Sequence, residues 1–183
     1  HPGLVQGTGV EAYKHYHDSS HSHGGTYLKF CSKTDHNLSY IDPNTHKKTP
    51  LLIAGAGGSV RYNNGQNQYT ERQMRKKLFK MIPHLIMNKL KYGRYLDIFL
   101  THASPRHIHD KEDPCHIGFD CFNWFLSKFK PTYMVHGHIH LYDMREERIG
   151  KYFETTVVNA YAHTIIELPI TEEKFKNIGR GNL

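Results

Sequence analysis

Two histidines separated by one residue follow a short apolar segment in the second half of the chain. The segment covers residues 133–135, Gly137 is a turn residue, and His138 and His140 follow it. A strand that ends at a glycine turn commonly presents side chains at the mouth of a sheet. Imidazole is a usual ligand for Zn, Fe, Co and Ni. The motif therefore indicates metal ligands, and the alternative is a pair of histidines on one face of a strand.

A third histidine follows another apolar segment. Residues 96–100 predict a strand, and Thr101 and His102 come directly after it. His138 lies 36 residues further on, which is enough for a loop, a helix and a crossover to a parallel neighbour. Ligands of α/β sheets gather at the carboxyl ends of the strands. We therefore expect His102, His138 and His140 to converge at one edge of the sheet.

The rest of the chain predicts the elements that position these histidines. Thr70 and Gln73 form a capping-box pattern before an apolar stripe, Pro83 should split the resulting helix, and Gly93 should end it. A second amphipathic helix is predicted over 119–130. A turn is predicted at 33–37, and strands are predicted at 26–31, 38–41, 51–54, 96–100, 132–135, 155–159 and 163–168. Strands that alternate with helices in this way predict an α/β fold.

The composition is that of a globular chain without a membrane span. The chain has 183 residues, which suits one domain, and its mean hydropathy is −0.65. No apolar run approaches the roughly 20 residues that cross a bilayer. The formal net charge of +7 favours anionic partners such as phosphate esters, nucleotides or nucleic acid, and a basic protein without such a partner is the alternative. A nucleic-acid binder typically carries a basic run interleaved with aromatic residues, and this sequence contains no such run.

The cysteines indicate a reducing compartment. There are three, Cys31, Cys115 and Cys121, and no two of them form a Cys-x-x-Cys pair. An odd number without that pattern argues against a disulfide framework and against a cysteine zinc ribbon. We therefore expect a cytoplasmic protein. The sequence contains no signal for the oligomeric state.

Several segments together resemble the C-terminal half of the calcineurin-like metallophosphoesterases. The segments that carry the resemblance are 97–105 (DIFLTHASP), 116–119 (HIGF), 130–133 (KPTY) and 136–140 (HGHIH). The glycine-rich turn at 55–62 and the Tyr-Thr-Glu at 69–71 resemble one prokaryotic branch of that superfamily. The combination of Thr-His with Gly-His-x-His is specific for the superfamily and not for a substrate.

The resemblance implies a fold and a metal site. The fold would be a two-sheet β-sandwich flanked by helices in four αββα layers, formed by residues 1–183 as one domain that is incomplete at its N-terminus. A complete site would hold two divalent ions, drawn from Mn, Fe, Zn, Co and Ni. His102 and His138 would bind the second ion and His140 the first.

The chain departs from the family pattern in its first part. It contains no Gly-Asp, no Asp-x-His and no Asn-His, so the bridging carboxylate, the Asn ligand and one histidine of the first metal are missing. The residues after His1 resemble those that follow Gly-Asn-His in the related branch. By that resemblance His1 is the histidine that contacts the phosphate and protonates the leaving group, although a start at this residue is also consistent with coincidence.

The function expected from the resemblance is metal-dependent hydrolysis of phosphoric esters, either diesters or monoesters. The first alternative is a catalytically impaired chain that acts as a binding module, and the second is a basic nucleic-acid-binding protein. Arg106 and His116 follow His102 in a loop, where they would hold the phosphate or stabilise the loop. Three neutral imidazoles do not offset the repulsion between two cations, so we expect at most one tightly bound metal and poor hydrolysis by this chain.

Overall fold

The computed structural model describes residues 35–41, 46–63, 65–143, 146–161 and 164–166. His1 and the predicted strand at 26–31 lie outside these ranges. The described elements, in chain order, are β1 (Asp35–Ile41), β2 (Lys48–Leu51), β3 (Ile53–Ala56), β4 (Ser59–Val60), β5 (Gln68–Tyr69), α1 (Glu71–Phe79), α2 (Ile82–Tyr92), β6 (Ile98–Thr101), α3 (Asp120–Phe129), β7 (Tyr133–His136), β8 (Ile149–Tyr152) and β9 (Thr155–Asn159). None of the helices in this part of the chain has the length and apolar character needed to cross a membrane.

A mixed five-stranded sheet organises the molecule and confirms the α/β class. Its strand order is β3-β6-β7-β9-β8. The first four strands are parallel, and β8 pairs antiparallel with β9 at the edge. The parallel strands therefore end on the same side of the sheet, which we call the carboxyl edge. Two smaller pairs, β1-β2 and β4-β5, lie outside this sheet.

Helices connect the parallel strands and cover the core. Both α1 and α2 lie between β3 and β6 in the chain, and α3 lies between β6 and β7. Phe99 of β6 is fully buried, and its ring centroid lies 4.4 Å from that of Phe125 and 5.5 Å from that of Phe122 on α3. The predicted inward face of α3 is confirmed, because its four expected apolar side chains are all buried: Phe122, Phe125, Leu126 and Phe129.

The helix boundaries follow the sequence signals. Thr70 Oγ1 accepts from the Gln73 amide at 3.3 Å, and Gln73 Oε1 accepts from the Thr70 amide at 2.8 Å, which completes the capping box. Pro83 lies in the first turn of α2, so the predicted split of the helix is confirmed. Gly93 ends α2 with a left-handed φ of 76°.

One turn prediction and two strand predictions need correction. The turn expected at 33–37 is wrong in part, because β1 begins at Asp35 and pairs with β2. The single strand expected at 51–54 is two strands, which separate at Leu52, where the Asp97 carboxylate accepts the backbone amide at 2.8 Å. Of the strand expected at 163–168, residues 164–166 are described and are not in a strand.

Candidate metal centre

His102 and His138 meet at the carboxyl edge of the sheet, as expected. His102 directly follows β6, and His138 follows its parallel neighbour β7 by two residues. His102 Nε2 lies 3.0 Å from His138 Nδ1. The Gly137 amide also donates to the His102 carbonyl at 3.2 Å, which joins the two strand ends through their backbones. The pairing of β6 with β7 therefore brings the two imidazoles into contact.

The hydrogen bonds of His138 define the tautomers of this pair. His138 Nε2 lies 2.6 Å from the main-chain oxygen of Cys115. A carbonyl oxygen only accepts, so Nε2 carries the proton of the neutral His138 ring and Nδ1 has a lone pair. His102 Nε2–H then donates to that lone pair. Each imidazole is consequently held by a directional contact.

The spacing of the two nitrogens fits one divalent ion. In octahedral coordination, adjacent ligand nitrogens bind at right angles, and at about 2.0–2.1 Å from the ion they lie about 2.9 Å apart. The observed separation of 3.0 Å is close to that value. In the other neutral tautomer of His102, with the proton on Nδ1 instead of Nε2, both facing nitrogens would be available as ligands. His102 and His138 thus fit as two neutral ligands of a single ion.

His140 does not join that pair and contacts two tyrosines instead. Its Nδ1 lies 3.0 Å from the Tyr142 hydroxyl, and its ring stacks on Tyr161 with centroids 4.7 Å apart. The segment is not a strand: His138 has a φ of 66°, and Ile139 is 2% exposed and anchors the turn. The alternative of two histidines on one strand face is therefore wrong. His102, His138 and His140 do not form a group with all their donor atoms within 4.8 Å among the described residues.

Asn159 holds the turn that carries His138. It ends β9 at the carboxyl edge and is 0% exposed. Its Nδ2 donates to the Ile139 carbonyl at 2.9 Å, and its Oδ1 accepts from the Tyr161 amide at 3.0 Å. Its position at the end of a parallel strand was the available sequence signal for this role.

A second pair of histidines lies beneath the turn. His136, which is 1% exposed, donates from Nδ1 to the Gly137 carbonyl at 3.0 Å, so its Nε2 accepts from His109 Nδ1 at 2.9 Å. Burial lowers the pKa of His136 to about 4 and also lowers the pKa of His109. Both rings are therefore neutral structural groups near pH 7. No spacing signal in the sequence indicates a contact between positions 109 and 136.

Arg106 is engaged within its own loop. Its guanidinium contacts Asp110 Oδ2 at 2.6 Å and Glu112 Oε2 at 2.9 Å. Asp110 Oδ2 also accepts from the Gly118 amide at 3.1 Å. The hydrogen bond from Arg106 lowers the pKa of Glu112. These contacts correspond to the loop-stabilising alternative, and a role for Arg106 in holding phosphate stays a prediction.

His116 belongs to another cluster. Its Nδ1 lies 2.7 Å from Asp113 Oδ1, and its ring centroid lies 5.2 Å from that of His138. Asp113, Cys115 and His116 are the group of three potential ligands found among the described residues with all donor atoms within 4.8 Å of one another. The hydrogen bond from the Cys115 thiol lowers the pKa of Asp113. Of these three side chains the sequence pattern indicates His116 alone, because Asp113 and Cys115 stand in no recognised ligand spacing.

Comparison with known proteins assigns no family. No protein-family model matches the chain, and no curated protein matches it. The chain is similar to a solved structure described as the crystal structure of TT1561 of Thermus thermophilus, with a TM-score of 0.40 and 16% sequence identity. That similarity covers 67% of this chain and 47% of the other, so the chain spans about half the length of that protein.

Proposed function

We propose that this chain is a metal-dependent phosphoric ester hydrolase of the calcineurin-like type, acting on phosphodiesters or phosphomonoesters. The observation that carries the proposal is the 3.0 Å approach of His102 Nε2 to His138 Nδ1 at the ends of neighbouring parallel strands. Two converging imidazoles at this edge suit a divalent ion. The proposal includes one domain with a two-sheet αββα sandwich, a dinuclear centre in its complete form, and a cytoplasmic location.

The residues of the chain have separate roles in this proposal. His102 and His138 hold the ion, while the Cys115 carbonyl and Asn159 fix the orientation of His138. A bound divalent ion would supply a Lewis acid for the phosphoryl oxygens and a hydroxide nucleophile. His140, as a ligand of a second ion, would have to rotate away from its tyrosine contacts. The loop with Arg106 lies next to His102 in the chain, where a phosphate group would enter.

A non-enzymatic metal-binding module is the second candidate. Two observations favour it: His140 contacts Tyr142 and Tyr161, and the Arg106 guanidinium is paired with two carboxylates. In that function the chain keeps one ion at His102 and His138. The two carboxylates offset the charge of the Arg106 guanidinium, which weakens its attraction for a phosphate ester in that function.

Metal titration of matched variants tests the site. We expect Mn²⁺, which has little preference for a thiol, to bind at this pair with one site, and we expect His102→Ala and His138→Ala each to weaken that binding by at least about tenfold. His84→Ala, which removes an exposed histidine of α2, is the control and should bind as the wild type does. Equal affinity in all four proteins, measured by isothermal titration calorimetry, would exclude a metal site at this pair.

Hydrolysis of bis-p-nitrophenyl phosphate separates the two candidate functions. Slow turnover that requires added metal and disappears in His102→Ala supports the hydrolase. Metal binding without such turnover supports the binding module. Vigorous hydrolysis that is lost in His140→Ala would contradict the expectation that this chain holds at most one metal well.

A further inference from the structure

The loop between β6 and α3 is held by a network of its own. Its two ends meet where the Phe119 amide donates to the Ser104 carbonyl at 3.1 Å and the Arg106 amide donates to the Phe119 carbonyl at 3.3 Å. Further along, the Lys111 amide donates to the His116 carbonyl at 3.1 Å. These bonds fix the backbone of the tip, residues 111–116. A tip held in this way presents its side chains in a defined arrangement.

Three side chains of different donor chemistry meet at that tip. Asp113 Oδ1 accepts from the Cys115 thiol at 2.9 Å and from His116 Nδ1 at 2.7 Å. The side chains of Asp113 and His116 are 44% and 36% exposed. The group therefore combines one oxygen, one sulfur and one nitrogen donor in a place that an ion can reach from solvent.

We propose that Asp113, Cys115 and His116 form a binding site for a thiophilic divalent cation, with Zn²⁺ as the best fit. Sulfur, imidazole nitrogen and carboxylate oxygen are the donors that Zn²⁺ takes in proteins. Three protein ligands leave the fourth tetrahedral position for water or a substrate atom. The Asp113 carboxylate and a Cys115 thiolate would offset the charge of the ion, which the imidazoles at the sheet edge do not.

The three donors need only small movements to accept an ion. Around a tetrahedral Zn²⁺ the oxygen would lie about 3.4 Å from the nitrogen and about 3.6 Å from the sulfur. The present separations are 2.7 Å and 2.9 Å. An opening of about 0.7 Å by each pair is within reach of side-chain rotation at accessible positions, so the backbone of the loop can stay in place.

The cluster of Asp113, Cys115 and His116 lies beside His138 of the sheet-edge pair. The Cys115 carbonyl accepts from His138 Nε2 at 2.6 Å, and the His116 ring lies 5.2 Å from the His138 ring, centroid to centroid. An ion at the tip would therefore sit beside the sheet-edge pair and share a supporting residue with it. The inference goes beyond the proposed function and does not depend on it, because neither His102 nor His138 is a ligand here.

Cobalt absorption provides a test that responds to the thiolate alone. Co²⁺ replaces Zn²⁺ in such sites, and only a sulfur ligand gives an intense near-ultraviolet charge-transfer band. We expect the full chain to develop this band on addition of Co²⁺ and to lose it when Zn²⁺ is added. Cys115→Ser should abolish the band, and His116→Gln and Asp113→Asn should each weaken Co²⁺ binding by at least about tenfold.

Matched variants identify the thiol and separate this proposal from the proposed function. Cys31→Ser and Cys121→Ala remove the other two thiols and should retain the band. His102→Ala should also retain it, although it weakens the sheet-edge pair. The proposal is overturned if no band appears, or if the band survives in Cys115→Ser. Circular dichroism of each variant verifies that it is folded.

Discussion

The Nε2 of His138 donates to the main-chain oxygen of Cys115 at 2.6 Å, and this bond joins the end of β7 to the tip of the preceding loop. It fixes the tautomer of His138 and, through the 3.0 Å contact with Nδ1, the donor role of His102 Nε2. The same bond holds the backbone of Cys115, whose side chain belongs to the cluster with Asp113 and His116. The two candidate metal sites are therefore mechanically connected.

Asn159→Asp should disturb the histidine pair without removing a ligand. The substitution keeps an oxygen for the Tyr161 amide but replaces the donor to the Ile139 carbonyl by a second oxygen. A buried unpaired carbonyl costs about 1–3 kcal/mol of unfolding free energy. Release of the turn should also weaken metal binding at His102 and His138 by about 10–100-fold. Urea unfolding and calorimetric metal titration measure the two effects.

Asn88→Asp is the matched control for that substitution. Asn88 Nδ2 donates to the Tyr95 carbonyl at 3.0 Å, so the same chemical change breaks an amide-to-carbonyl bond on α2, although in a half-buried place. It should lower the unfolding free energy and leave the metal affinity unchanged. If both variants reduce the affinity equally, Asn159 acts only through global stability.

Gly118→Ala should open the loop at its base. A β-carbon at this position would lie 2.5 Å from the Pro105 carbonyl oxygen and 2.8 Å from the Arg106 nitrogen, and backbone atoms cannot move aside without breaking the bridge between Pro105 and Phe119. Overpacking of this kind costs about 1–3 kcal/mol. The Phe119 amide, which donates to the Ser104 carbonyl at 3.1 Å, should exchange its hydrogen faster.

Gly93→Ala is the control for Gly118→Ala, because it strains the backbone conformation without creating steric overlap. Gly93 has a φ of 76°, and an added β-carbon there meets nothing within 4 Å. Its substitution should cost about 1–2 kcal/mol through the left-handed conformation alone. In Gly93→Ala, hydrogen exchange of the Phe119 amide should become faster only by the amount that the loss of global stability explains. Unchanged local protection of Phe119 in Gly118→Ala would contradict the account of the close approach.

The sequence predicts the elements whose signals are local. The capping box at Thr70, the split at Pro83 and the buried face of α3 depend on neighbouring residues along one helix, and all three are confirmed. The parallel relation of β6 and β7 is also predicted, because one helix and one loop separate them. The meeting of His102 and His138 follows from that relation.

The contacts of His140 do not follow from spacing. His138 has a positive φ and Ile139 is buried, so residues 138–140 do not continue the alternation of a strand. The contact between His109 and His136 likewise joins a loop residue to a strand end across a separation of 27 residues. A spacing of two residues places side chains on one face only in a strand, and residues 138–140 form a turn.

Asp97→Ala should destabilise the protein more than removal of a surface carboxylate. The Asp97 carboxylate is buried, accepts from the Leu52 amide at 2.8 Å, and contacts Arg94 Nε at 2.6 Å. Removal of one partner from a buried pair costs about 3–5 kcal/mol. Glu154→Ala removes an exposed partner of Lys130 and should cost at most about 1 kcal/mol. Similar urea midpoints for the two variants would contradict the structural role of Asp97.

Alkaline pH should destabilise the fold through Cys121. Its thiol is 0% exposed, and burial, together with the nearby Glu71 carboxylate, raises its pKa far above the usual value of 9.0. The unfolded chain therefore loses this proton at a lower pH than the folded protein. The stability associated with the neutral thiol is complete below pH 9 and is lost as the pH rises above it, by about 1.4 kcal/mol at pH 10.

The variant Cys121→Ala isolates this contribution, because it removes the titrating thiol from both states. It should be less stable than the wild type at pH 7, since α3 loses a buried side chain. The difference in unfolding free energy between the two proteins should then shrink by about 1.4 kcal/mol between pH 8 and pH 10. Tyrosine titration affects both proteins alike and cancels. Parallel pH profiles from urea unfolding would mean that the thiolate is tolerated in the folded protein.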